Sequence, residues 1–101
     1  MRLTPAQQAA IRSTVTETFG DAARVWLFGS RVDDDKRGGD IDLLIETKQS
    51  DVAVIVRAEL DFLAKVKTKL GEQQIDLLID YPTRQFTPPI FAIARQTGIP
   101  L

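Results

Sequence analysis

Residues Asp40 to Glu46 alternate in character. Ile41, Leu43 and Ile45 point one way; Asp40, Asp42 and Leu44 point the other. That period reads as a strand with one core face and one partly acidic face. Residues Gln74 to Asp80 repeat the logic, with Ile75, Leu77 and Ile79 against Asp76, Leu78 and Asp80. A third apolar run, Ala23 to Phe28, is bounded by Asp21 and by Gly29–Ser30, and reads as a buried strand. Any fold for this chain must bring these three strands together and cover their apolar side.

Helices supply the cover. Thr4 caps a first helix, with Pro5 at its first position and Gln7 completing a capping box. Ala10, Ile11, Val15 and Phe19 follow at helical spacing, and Gly20 stops the helix. Ser50 or Asp51 caps a long helix ending near Gly71. Its residues Val52, Ile55, Val56, Leu60, Phe62, Leu63, Val66 and Leu70 fall on one arc, interrupted by Glu59. Thr87 is placed to cap a last short helix, with Pro88 and Pro89 in its first turn and Gly98 at its end. Ile99–Pro100–Leu101 suits a small edge strand. The first two strands follow one another across a polar loop, residues 31–39, and are expected to pair. The expectation is one α+β domain over residues 1–101: two layers, a small mixed sheet, and helices packed on one face.

Composition narrows the chemistry. The 101 residues carry a net charge of −1, so no basic stripe for long nucleic acid is present. There is no Cys and no His. Disulfides, thiolate or imidazole metal sites, and imidazole bases are thereby excluded. A metal here must sit on oxygen ligands, which suits a hard cation such as magnesium. The N-terminus has no long apolar run, so neither a signal peptide nor a membrane anchor is expected, and the default location is cytoplasmic.

Two local features could carry function. Gly29, Ser30 and Arg31 follow directly on a buried strand. Gly29 lacks a Cβ, so a phosphate can approach the backbone; Ser30 adds a hydroxyl and Arg31 a planar fork of donors. Taken alone, these residues equally form an ordinary turn. Asp40 and Asp42, at i and i+2, project from one face with Cα atoms about 6–7 Å apart. Alone, they equally form two solvated acids on an exposed strand. Asp76 adds a third acid if its strand neighbours theirs. Asp80 shares its face but lies about 13 Å further along, so the two cannot both reach one site. It abuts Tyr81–Pro82 and looks like a strand end.

In combination these parts resemble the nucleotidyltransferase superfamily related to DNA polymerase β. The resemblance rests on Leu27-Phe-Gly-Ser-Arg31, a spacer of nine residues after Ser30, Asp40–Ile41–Asp42 within Gly39-Asp-Ile-Asp-Leu-Leu-Ile45, the later strand Ile75-Asp-Leu-Leu-Ile79, and the tail from Pro89 to Gly98. It covers nearly the whole chain. It implies transfer of a nucleoside monophosphate from ATP or another triphosphate to an acceptor hydroxyl. By the same resemblance Gly29, Ser30 and Arg31 hold phosphates, Asp40 and Asp42 bind the nucleotide's magnesium, and with Asp76 they hold a second magnesium. Asp76 would also assist deprotonation of the acceptor. Lys36 and Arg37 read as a solvated loop pair.

Minimal members of this superfamily often pair with a small helical HEPN toxin and act as its antitoxin, in some cases by adenylylating a toxin tyrosine. The resemblance therefore implies a partner protein as acceptor. The alternatives are a module that neutralises by contact without catalysis, and an enzyme with a small-molecule acceptor. The sheet edge and the apolar helix of residues 51–70 also offer surface for a homo-oligomer, although core packing accounts for that helix equally well.

Overall fold

A computed structural model describes residues 3–29, 41–71 and 73–101. Helix α1 spans Pro5–Phe19. Its start is the expected capping box: Thr4 Oγ1 accepts from the Gln7 backbone N–H at 3.1 Å, and Gln7 Oε1 accepts from the Thr4 N–H at 2.9 Å. Strands β1 (Arg24–Phe28) and β2 (Ile41–Glu46) follow, then helix α2 (Val52–Leu70), strand β3 (Ile75–Asp80), helix α3 (Pro89–Thr97) and strand β4 (Ile99–Pro100). Asp51 caps α2 by accepting from the Ala53 N–H.

The sheet runs β3-β2-β1-β4. β1 and β2 pair antiparallel, as expected for neighbours across a loop. β2 and β3 pair parallel, because the 19-residue α2 carries the chain back to the starting edge. The sheet is therefore mixed. β4 pairs antiparallel with the other side of β1, and Leu101 extends it by donating its N–H to the Val25 carbonyl.

Strand alternation divides the core. Val25, Leu27, Ile41, Leu43 and Ile45 lie on the face covered by α1 and α2, around Ile11, Val15, Phe62 and Val66. Trp26, Phe28, Leu44 and Leu78 lie on the other face, against Phe91 and Ala94 of α3. The one-face expectation thus holds for α1 and α2, whereas α3 packs on the opposite face. Its own apolar stripe, Phe91 and Ala94, needs cover, and the even positions of β1, β2 and β3 supply it.

Two helix details differ from the sequence expectation. α3 begins one residue later than Thr87 would allow: Pro88 occupies the cap position in an extended conformation, with no side-chain hydrogen bond, and Pro89 opens the helix. The ring of Pro89 disfavours helical backbone at Pro88, which displaces the cap. On α2, only Ile55, Ala58, Phe62 and Val66 are buried. Val52, Val56 and Leu60 stay 53%, 48% and 63% exposed. The apolar arc is wider than the stripe one sheet and one neighbouring helix can cover.

The outer edge of β3 is guarded at one end. Arg84 donates to the Ile79 carbonyl at 2.8 Å, and its guanidinium lies 5.0 Å from the Tyr81 ring centre and 4.6 Å from that of Phe91. Helices α1 and α2 are clasped near their C-terminal ends by Lys69, which donates to Thr14 Oγ1 at 2.8 Å and to Glu17 at 3.3 Å. That hydrogen bond and the Lys69 charge hold the Glu17 carboxyl below its ordinary range.

Gly98 sits where α3 hands the chain to β4. A Cβ there would lie 2.9 Å from the Leu27 carbonyl oxygen and still closer to that of Ala94. Both obstacles are backbone and cannot swing away. Gly98→Ala should lower stability by about 1–3 kcal/mol, read as a shift of the urea midpoint. A change below about 0.5 kcal/mol, the scale of ordinary surface substitutions, would show that the α3–β1 approach is looser than described.

Candidate functional site

The parallel register sets Asp42 beside Asp76, and four residues on sets Glu46 beside Asp80. All four acids share the parity of Leu44 and Leu78, so they project from the α3 face. The two pairs are about 13 Å apart along the strands.

The pairs differ in their neighbours. Arg95 of α3 donates to Glu46 at 2.9 Å and makes a close hydrogen bond to Asp80. Its guanidinium also lies 5.6 Å from the Trp26 ring centre. The Asp80 hydrogen bond holds the Arg95 pKa above its ordinary value, and the guanidinium offsets part of the negative charge at this end of the sheet. Asp80 is therefore a tether for α3. Asp76 is exposed, and among the described residues no base pairs with it. The structural role of Arg95 could not be read from its place in the sequence, because Glu46 and Asp80 are 49 and 15 residues away.

Gly29 ends β1 at the Asp42 level, since Phe28 faces Asp42 across the antiparallel ladder. Its φ is +76°, a left-handed conformation that favours glycine. The space a Cβ would fill is taken by the Asp42 side chain, 3.0 Å away at Cγ and 3.3 Å at Cβ, with Oδ2 nearer still. Gly29, Asp42 and Asp76 thus converge at one end of β1, β2 and β3. Ser30, Arg31 and Asp40, the other expected site residues, and the loop pair Lys36 and Arg37 lie outside the described residues. Among the described residues no three carboxylates form a metal-holding group.

The donor set suits a hard divalent cation. Asp42 and Asp76 offer oxygen ligands only, side by side on neighbouring strands. A cavity of about 520 Å³, lined among others by Arg12, Arg24 and Trp26, opens at the far end of β1, away from these acids.

Residues 9–96 match the family model of the nucleotidyltransferase domain. That match covers most of the chain, which therefore belongs to the nucleotidyltransferase family. Its general activity is nucleotidyl transfer, and domains of this family use a nucleoside triphosphate and a divalent metal. A comparison with curated protein sequences found no match. Among the described residues no helix is long and apolar enough to cross a membrane.

Proposed function

We propose that this chain transfers AMP from ATP to a hydroxyl of a partner protein of the HEPN type, and that it serves as that protein's antitoxin. The observation that carries the catalytic part is the register of Asp42 beside Asp76. In this reading Asp40, Asp42 and Asp76 are the magnesium ligands. Gly29, Ser30 and Arg31 receive the triphosphate. When bound, magnesium would neutralise phosphate charge and lower the pKa of the acceptor hydroxyl. In the same reading Asp76, exposed at the sheet end, takes the proton from that hydroxyl. Asp42, half-buried beside Gly29, is held by its surroundings and serves orientation.

A protein acceptor is supported by the apolar stripe Val52, Val56 and Leu60, which α2 leaves uncovered. The stripe serves equally for neutralisation by contact, so turnover has to be measured. The test is incubation of the chain and a HEPN partner with α-labelled ATP and magnesium. Label on the partner, lost when magnesium is chelated, is the expected result. A stable complex without label would establish a non-catalytic antitoxin. Label on an added aminoglycoside and none on protein would establish a small-molecule acceptor.

A further inference from the structure

We infer that Gly29 is a positioning residue for Asp42, in addition to any contact its backbone makes with phosphate. The inference rests on the reading of Asp42 as a metal ligand. Three described glycines have positive φ: Gly20 at +94°, Gly29 at +76° and Gly71 at +82°. At Gly20 and Gly71 a Cβ would meet nothing within 4 Å. Those positions require glycine for backbone conformation alone. At Gly29 a Cβ would collide with the Asp42 carboxylate itself. The missing side chain is the seat into which that carboxylate folds.

The seat has a geometric cause. Phe28 and Asp42 are direct partners in the β1–β2 ladder, and the left-handed turn at Gly29 brings its Cα across the end of β2. Asp42 lies on the same face as Trp26, Phe28 and Leu44. An L-residue at 29 would strain the turn and also push the carboxylate from its place beside Asp76. These are separable effects. The first is shared with Gly71 and the second is not.

The experiment measures Mn²⁺ affinity without nucleotide, by titration calorimetry, alongside urea unfolding. The variants are Gly29→Ala, Asp42→Ala, the double variant, and Gly71→Ala as a control for backbone strain. Gly29→Ala should weaken Mn²⁺ binding about tenfold, as loss of ligand orientation does. It should add no further loss in the Asp42→Ala background, and Gly71→Ala should leave Mn²⁺ binding unchanged. Gly29→Ala should also destabilise the Asp42→Ala protein less than the parent, because the collision is gone.

Unchanged Mn²⁺ affinity in Gly29→Ala, with a loss in Asp42→Ala, would overturn the inference and leave the metal reading standing. Unchanged affinity in Asp42→Ala would overturn the metal reading and the inference with it. Should Gly29→Ala not fold, recovery of a cooperative urea transition in the double variant supports the seat. Failure to recover it while Gly71→Ala folds overturns the seat.

Discussion

Asp42→Asn should abolish nucleotidyl transfer, by about 10³-fold or more, with the fold intact. The substitution keeps the shape of a half-buried side chain that fits against Gly29. It removes one of two negative charges held side by side on adjacent strands. In the proposed reading, what it removes is a charged oxygen ligand. Pyrophosphate release from ATP with magnesium checks the loss, and an unchanged urea midpoint checks the fold. Asp80→Asn is the contrast: it loosens the Arg95 tether by at most about 1 kcal/mol, since that pair is partly exposed, and turnover should persist. Normal magnesium-dependent turnover in Asp42→Asn would overturn the assignment of Asp42.

Phe62→Ala should have the largest effect on stability. Phe62 is fully buried among residues of α1, β1 and β2, and its ring meets that of Phe19 edge-on at 6.3 Å. Truncation leaves a cavity between both helices and the sheet and should cost about 3–5 kcal/mol. Domains of this size hold about 5–15 kcal/mol in total, so much of the protein's stability goes with one side chain. Far-UV circular dichroism during urea titration would show the midpoint falling steeply. A loss below about 1 kcal/mol would mean that the α1–α2 interface closes over the gap.

Much of this fold was legible in the chain because its signals are local. Thr4, Pro5 and Gln7 form a capping box within one turn, and Gly20 and Gly71 stop their helices with positive φ. Alternation in residues 41–46 and 75–80 assigns each side chain to a face without reference to any partner. Asp76 and Asp80 share a face but cannot both reach one site, and the sequence favours Asp76 because Asp80 abuts Tyr81–Pro82 and looks like a strand end. The parallel register sets Asp42 and Asp76 side by side. Membership of the nucleotidyltransferase family was legible for a related reason: its motif is a set of short strand ends at fixed spacing.

Long-range packing was not legible. The arc on α2 shows which residues are apolar, but not which of them a neighbour covers. Val56 and Ile55 differ by one position, and only the placement of α1 and the sheet leaves the first exposed and the second buried. Likewise α3 presents Phe91 and Ala94, and its periodicity does not say which face of the sheet receives them. By itself, then, the sequence determined the elements, the strand faces and the acids that share them, because these follow from backbone period and near-neighbour sterics. Tertiary structure alone decided that Arg95 bridges Glu46 and Asp80, that α3 crosses to the other face, and that the Asp42 carboxylate occupies the space beside Gly29, because each depends on groups that meet only when distant segments pack.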